Sequence, residues 1–291
     1  MKKIRFIIYI ASVIFALLFN FYFRPIKGNN LVTDEYRNSK EYVNDLYMSD
    51  EYFSKNLVNK NYEFIYKKII ESTFDDSAQI KIPCAGSEQC INNFTASIYA
   101  LYLDHPELIS YVGISGVKYE KGNLIYNNYE GLSKFKTYMA TRRIEREMEN
   151  IRKDTDGMDD KEKILYVYNY VASHNYDKLF TSLGSNQSAY SFFTKGSSVC
   201  AGFAKASQII FQNIGIKSYL VINDSHLWNY VEYEGKYYVF DATVGASYRD
   251  KSNNRYYDGL ARTTVDSVIG HYPELYPPIE TEHTLKELFG V

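Results

Sequence analysis

Residues 196–245 read GSSVCAGFAKASQIIFQNIGIKSYLVINDSHLWNYVEYEGKYYVFDATVG, and the expected fold is built around them. Apolar residues in the first part recur at helical spacing, with Ser198 as the expected N-cap and Gly215 as the residue that ends the helix. Cys200 therefore falls in the first turn. Backbone N–H groups and the positive end of the helix dipole favour a thiolate at that position.

A β-hairpin is expected after this helix. Residues 226–233 and 236–243 are rich in Tyr, Val, Trp and Phe, and Glu234-Gly235 between them is a candidate two-residue turn. With that turn, His226 and Asp241 become diagonal neighbours on one face of the hairpin, about 7–8 Å apart. A four-residue loop would keep this register, whereas a three-residue loop would place the two side chains on opposite faces.

Three residue types that can cooperate chemically thus follow one another along the chain. Cys200 offers a thiol, His226 a base and Asp241 a carboxylate that can orient the imidazole. Each has an ordinary alternative, since a free Cys is usually a small buried residue and a His or Asp is often only a hydrogen-bonding group. Their combination favours a nucleophile with its base. No other His has metal-ligand spacing with a Cys, so neither a metal nor a cofactor is expected.

The same segments resemble the core of the bacterial transglutaminase-like thiol-enzyme superfamily. They are GSSVCAGFA around Cys200, HLWNYV from His226 and GKYYVFDAT around Asp241, in the family order. The resemblance implies an α+β fold with a papain-like or transglutaminase-like core, in which the catalytic helix packs on an antiparallel sheet. It also implies that Cys200 is the nucleophile, His226 the base and Asp241 the residue that orients His226. A thioester formed with a peptide or carboxamide would then be resolved by water or by an amine.

The chain also departs from animal transglutaminases. Those enzymes carry Trp directly after the catalytic Cys, whereas this chain has Ala201, and the acidic segment 154–160 lacks the Gly and Glu positions of a calcium loop. Calcium-dependent crosslinking is therefore not expected. Asp159 and Glu162 instead predict a capping box at the start of a helix. The backbone N–H of Cys200 is the only oxyanion donor that the sequence suggests.

Composition limits the classes of partner. The formal net charge is -2, which argues against nucleic acid, and 45% hydrophobic residues are enough for a full core. We expect a peptide or protein substrate, of which a cell-wall peptide is one example. A second interpretation is a non-catalytic member that serves as a binding or assembly module of the cell envelope. The complete Cys-His-Asp set favours the enzyme.

The N-terminus predicts a membrane anchor over residues 1–28. Three basic residues precede 18 mainly apolar residues at 6–23, a run that would extend about 27 Å as a helix. No small-residue cleavage site follows this run. We therefore expect a single-pass protein of the cell membrane with its globular part outside, although the charge bias that sets orientation is weak.

Four regions are expected along the chain: the anchor at 1–28, a polar stalk at 29–48, a helical lead-in with a hairpin at 49–157, and the catalytic core with its C-terminal segment at 158–291. Helices are expected at 49–72, 91–103 and 141–153, a hairpin at 113–129, loops at 74–90 and 173–198, and a short closing helix at 284–289. Cys84 and Cys90 either form a disulfide in an oxidising exterior or are two small buried residues.

Overall fold

The computed structural model describes residues 52–56, 79–83, 88–107, 118–121, 123–127, 134–177, 186–223, 225–262 and 276–291. Within these ranges, no helix has both the length and the apolar character needed to cross a membrane. The expected anchor and stalk lie outside the described residues, as does most of the helix expected at 49–72. Cys84 and the side chain of Cys90 lie outside them too, so their disulfide stays a prediction.

The lead-in combines helices with a small antiparallel sheet of order β1-β3-β2. Its elements are α1 (Tyr52–Asn56), β1 (Gln79–Pro83), α2 (Glu88–Asp104), β2 (Lys118–Glu120), β3 (Asn123–Asn127) and α3 (Lys134–Asp154). Tyr119 pairs with Leu124, which confirms the expected hairpin. The loop expected at 74–90 was wrong in part. β1 is a strand because it pairs with the non-adjacent β3, and α2 already begins at Glu88.

The second half of the chain contains the central helix and a three-stranded antiparallel sheet of order β6-β7-β8. Its elements are α4 (Asp160–Ala172), β4 (Asn175–Tyr176), a π-helix (Ser191–Lys195), β5 (Ser197–Ser198), α5 (Cys200–Asn213), β6 (Ser218–Ile222), β7 (Leu227–Tyr233), β8 (Lys236–Phe240), α6 (Ala242–Tyr248), a 3₁₀ turn (Asp258–Leu260) and α7 (Leu285–Phe289). The sheet and the central helix agree with the expected α+β core.

Helix α5 is the centre of the core. Every residue from Ala201 to Asn213 is buried, because the helix packs against β6 and β7 of the sheet and also contacts α3, α4 and α6. A helix that is buried on nearly all sides is stable only when other elements surround it. The first residue of α5, Cys200, is half-buried and so remains at the edge of this core.

Helices α4 and α5 begin differently. Asp159 caps α4 as expected: its carboxylate accepts the backbone N–H of Glu162 at 2.8 Å, and the Glu162 carboxylate accepts the N–H of Asp159 at 3.0 Å. The expectation that Ser198 caps α5 was wrong. Val199 occupies the N-cap position and makes no side-chain cap, because Ser198 lies in β5 and its hydroxyl bonds elsewhere. Gly215 follows the helix with φ 81°, as expected.

The β7–β8 hairpin has the expected two-residue turn. Glu234 and Gly235 have φ values of 51° and 76°, as in a type I′ turn, and Tyr233 pairs with Lys236. The second strand was expected to reach residue 243 but ends at Phe240. It ends there because the Asp241 carboxylate accepts the backbone N–H of Thr243 at 3.1 Å and so starts α6.

Residues 173–198 are not simply the long loop that was expected. β4 and β5 form a short parallel pair, with Tyr176 opposite Ser198, and the π-helix lies between them in sequence. The pairing joins segments far apart in the chain, and no local sequence pattern signals such a contact. The closing helix is confirmed as α7, which begins at a capping box between Thr284 and Glu287.

Candidate active site

The thiol of Cys200 is held at the open end of α5. Its sulfur receives hydrogen bonds from the backbone N–H groups of Ala201, on the same helix, and Leu227, at the start of β7. The side chain also hydrogen-bonds His226. Donors from both the helix and the sheet therefore converge on one sulfur atom, which favours the thiolate over the thiol.

A close backbone approach fixes the first turn of α5. The hydroxyl of Ser198 donates to the carbonyl of Asn186 at 2.6 Å and lies 2.9 Å from the hydroxyl of Ser191. A Cβ on Gly202 would stand 1.8 Å from that Ser198 oxygen and 2.8 Å from the carbonyl oxygen of Ser188. Only glycine leaves room here, so Gly202 lets the segment before the helix pack directly on its first turn.

A tight turn and a neighbouring ring orient His226. The side-chain oxygen of Asn223 accepts the backbone N–H of Ser225 at 2.9 Å and of His226 at 2.7 Å, while the Asn223 N–H donates to the His226 carbonyl at 3.1 Å. The imidazole stacks on Trp228, with ring centroids 5.8 Å apart and planes 18° from parallel. The backbone turn and the indole together limit the positions that the imidazole can occupy.

Asp241 joins the end of the hairpin to His226. Its side chain is 2% exposed, and Oδ2 lies 2.9 Å from Nε2 of His226. Oδ1 accepts the backbone N–H and the hydroxyl of Thr243. The backbone N–H of Asp241 donates to the carbonyl of Gly259 at 3.0 Å, and a Cβ on Gly259 would stand 2.0 Å from the Asp241 carbonyl oxygen. This carboxylate therefore has a fixed position with both oxygens hydrogen-bonded.

Charges in the site favour an ion pair between sulfur and imidazole. Burial alone lowers the pKa of His226, but the hydrogen bonds and charges of Asp241 and Cys200 outweigh it and raise that pKa to about 10. Burial alone raises the pKa of the Cys200 thiol, and the hydrogen bond and charge of His226 outweigh it, so the pKa is lowered. Burial also raises the pKa of Asp241, but the hydrogen bond and charge of His226 outweigh it and hold the pKa of this carboxyl below its usual value.

The structure therefore brings together the three residues singled out from the sequence. Because Nε2 of His226 faces Asp241, Nδ1 is the ring nitrogen left for Cys200. Asn223, Thr243 and Gly259 were not foreseen. Asn223 alone carried a local signal, since an Asn three residues before the His can form an Asx turn.

Tyr176 is the side chain that the sequence most clearly failed to identify. The segment 175–177 belonged to a loop expected before the nucleophile, yet Tyr176 pairs with Ser198, and burial and the nearby charge of Cys200 raise the pKa of its hydroxyl. The β4–β5 pairing, which places Tyr176 there, becomes visible only in three dimensions.

Trp228 and Asn229 have structural contacts, and the Asn229 amide donates to the carbonyl of Ala204 on α5 at 3.0 Å.

Other His side chains in the described part of the chain have ordinary surroundings. His105 is fully buried, with Nδ1 2.6 Å from a carboxylate oxygen of Glu107, and His174 stacks on Phe192 with ring centroids 4.1 Å apart. Over the ranges that the structure describes, no three His, Cys, Asp or Glu side chains are arranged to hold a metal ion.

Comparison with known proteins identifies the domain that contains this site. Residues 149–242 match the family model of the transglutaminase-like superfamily. A solved structure described as "Crystal structure of a TGase" is similar over 57% of this chain and 50% of that chain, with 16% sequence identity and a TM-score of 0.33. This chain thus spans half the length of that protein. No curated protein matches this chain. The matched region contains Cys200, His226 and Asp241, so the chain carries a transglutaminase-like domain that includes all three residues.

Proposed function

We propose that this protein is a thiol enzyme that transfers or hydrolyses acyl groups of peptide or carboxamide substrates. The observation that carries the proposal is the position of His226, which hydrogen-bonds Asp241 through Nε2 at 2.9 Å and hydrogen-bonds Cys200 as well. A thiol, a base and an orienting carboxylate in this order can form a covalent acyl-enzyme.

The first half of the reaction releases an amine. The Cys200 thiolate attacks the carbonyl carbon, a C–S bond forms, and the π electrons of the C=O bond move to the oxygen. The imidazolium of His226 donates its Nδ1 proton to the leaving nitrogen as the C–N bond breaks and the C=O bond reforms. Ammonia or an amine departs and a thioester remains on Cys200.

The second half regenerates the thiolate. Water or an amine attacks the thioester while neutral His226 removes its proton, and the C–S bond breaks with the electron pair returning to sulfur. Water makes the protein a peptidase or amidase, and an amine makes it an acyltransferase. Throughout the cycle Asp241 holds the imidazole in one tautomer and stabilises its charged form, because the buried carboxylate keeps Nε2 protonated.

The proposal includes the cell membrane as the location. The apolar run at 6–23 follows a basic start, which is the pattern of an uncleaved single-pass anchor. With the domain outside, wall peptides and surface proteins would be its accessible substrates. A membrane-impermeant maleimide should then label Cys200 on intact cells, and labelling only after lysis would contradict this location.

The central test is the pH dependence of Cys200 alkylation by iodoacetamide in the full-length chain held in detergent, with Cys84 and Cys90 blocked beforehand or followed separately by peptide mapping. We expect fast labelling well below the pKa of about 8.5 of an ordinary thiol. In the His226→Ala variant, labelling at pH 6.5 should fall about 100-fold, because only about 1% of an ordinary thiol is ionised at that pH.

His283→Ala is the matched control, since His283 is exposed near the start of α7. This variant should label like the natural protein. If labelling of the natural protein rises only near the pKa of an ordinary thiol, or if His226→Ala leaves it unchanged, the catalytic pair is refuted and the binding-module alternative is favoured.

A further inference from the structure

An arginine lies at the carboxylate end of the Cys-His-Asp set. Arg262 follows the 3₁₀ turn that holds Asp241, whose backbone N–H donates to the carbonyl of Gly259 in that turn at 3.0 Å. Nη1 of Arg262 is 3.8 Å from Oδ2 of Asp241, and this same oxygen lies 2.9 Å from Nε2 of His226. The imidazole and the guanidinium therefore approach one buried oxygen.

The contact with Asp241 leaves the guanidinium N–H groups open to solvent. The Arg262 side chain is 51% exposed, whereas that of Asp241 is 2% exposed. At 3.8 Å the two groups attract each other as charges but are too far apart for a hydrogen bond. Asp241 does not need this contact to be held in place, because His226 and Thr243 already bond its two oxygens. In the part of the chain that the structure describes, no hydrogen bond uses the Arg262 guanidinium.

Two other arginines close to Arg262 in sequence show what a structural role looks like. Nη2 of Arg249 donates to Oδ1 of Asn175 at 2.8 Å, and Nε of Arg255 donates to Oδ2 of Asp258 at 3.2 Å. Each of these guanidinium groups ties two segments of the protein together. Over the described ranges Arg262 forms no comparable bond, so its donors are free to meet a molecule from solution.

The guanidinium is within reach of a peptide bound at Cys200. The His226 side chain, which is 27% exposed, lies between Asp241 and the sulfur. One carboxylate oxygen and the imidazole ring thus separate Arg262 from Cys200, a span that about two to three residues of extended peptide cover. A planar guanidinium binds a carboxylate through two parallel N–H···O bonds. The group that matches this position is therefore a carboxylate of the substrate.

We propose that Arg262 is a substrate-binding residue that selects acidic peptides, because it pairs with a carboxylate about two to three residues from the carbonyl that Cys200 attacks. This inference rests on the proposed thiol chemistry and names the substrate class for it. The negative charge of Asp241 does not repel such a substrate. Asp241 is buried and Arg262 is half-exposed, so an incoming anion meets the guanidinium first.

Charged and neutral maleimides test this site without a known substrate. Maleimidohexanoic acid carries a carboxylate on a flexible chain, and its amide is the neutral counterpart. Both alkylate Cys200 in the full-length chain held in detergent, with the other cysteines followed separately by peptide mapping. The ratio of the two rate constants, acid over amide, cancels any change in the reactivity of the sulfur. In Arg262→Gln this ratio should fall about fivefold, near the upper limit for an exposed ion pair.

Arg255→Gln is the matched control, because it removes the same charge from an exposed arginine of the same segment. Its ratio should stay at the natural value. If Arg262→Gln leaves the ratio unchanged, or if Arg255→Gln lowers it equally, the carboxylate site is overturned. An equal loss of both rates in Arg262→Gln also overturns it, since Arg262 would then act on Asp241 and His226. The ratio is measurable even without low-pH alkylation, so a failure of the proposed thiol enzyme is distinguishable.

Discussion

Helices α4 and α5 pack against each other but begin in opposite ways. At α4, a reciprocal pair of side-chain hydrogen bonds between Asp159 and Glu162 satisfies backbone groups that the first turn would otherwise leave open. At α5, the N-cap is Val199 and no side chain caps the turn. Instead, the N–H of Cys200 faces the Tyr176 hydroxyl, and the N–H of Ala201 faces the Cys200 sulfur.

This difference separates a helix start that is stabilised by a side-chain cap from one whose backbone donors are left to the proposed nucleophile. A Ser, Asp or Asn side chain at position 199 would compete for the donors that now face the thiol, and an Asp would add a negative charge beside it. α5 does not need a cap of its own, because buried contacts surround the helix from Ala201 onward. Four substitutions test this contrast.

Gly202→Ala should have the largest effect, since it pushes the first turn of α5 away from the segment that carries Ser198. The new Cβ would stand 1.8 Å from the buried Ser198 hydroxyl, and we expect the free energy of unfolding to fall by about 3 kcal/mol. Chemical denaturation measures the loss. Adding Ser198→Ala should recover part of it by removing the clashing oxygen, and full stability of the single variant would show that the close approach is not needed.

Asp241→Asn should have the next largest effect, which is on the reactivity of Cys200. It acts from the end of the β7–β8 hairpin, across the site from the start of α5. The carboxylate is the strongest of the contacts that raise the pKa of His226, so without its charge the imidazolium is lost at lower pH and the thiolate loses its counterion. The pKa of Cys200 should therefore rise by at least one unit, and alkylation at pH 6.5 should fall about tenfold. The whole pH profile must move to higher pH, and a shift to lower pH would contradict the assigned ion pair.

The sequence predicted the hairpin side of the site because its geometry is local. The two-residue turn at Glu234-Gly235 sets the register, and this register brings the start of β7 and the end of β8 together, next to His226 and Asp241. The end of β8 was missed for a related reason. Asp is uncommon inside strands and preferred at N-caps, but the apolar run before Asp241 extended the expected strand to residue 243. The contacts of Asp241 with Thr243 and Gly259 end the strand there.

The cysteine side could be predicted only in part. Cys200 at the helix start followed from apolar periodicity, but the cap was assigned to Ser198 because hydroxyl residues are preferred there. Ser198 instead pairs with Tyr176 and bonds the carbonyl of Asn186, contacts made by residues distant in sequence. The same non-local pairing hid the position of Tyr176 next to the segment that carries Cys200. Helical periodicity and turn chemistry are local signals, whereas a two-residue parallel pair leaves none.

Asp159→Ala should act on the capped helix alone. Removing the N-cap carboxylate should lower the free energy of unfolding by about 1 kcal/mol, while the pH profile of Cys200 alkylation stays in place. Asp156→Ala is the control, because Asp156 is an exposed acid outside the helix. A change in the alkylation profile of Asp159→Ala would show that the start of α4 is coupled to the site, which would break the contrast between the two helices.

Val199→Thr should have the smallest effect and tests the contrast from the other direction, by giving α5 a cap. Thr has nearly the shape of Val, and its hydroxyl can accept the N–H of Ala201, which now bonds the Cys200 sulfur. Stability should rise by about 0.5 kcal/mol, and the pKa of Cys200 should rise because its sulfur loses one donor. Val167→Thr, at a buried position inside α4, measures the cost of burying a hydroxyl without a cap. If Val199→Thr stabilises the protein and leaves the alkylation profile unchanged, the sulfur does not depend on the Ala201 N–H, and the thiolate is held by His226 and Leu227 alone.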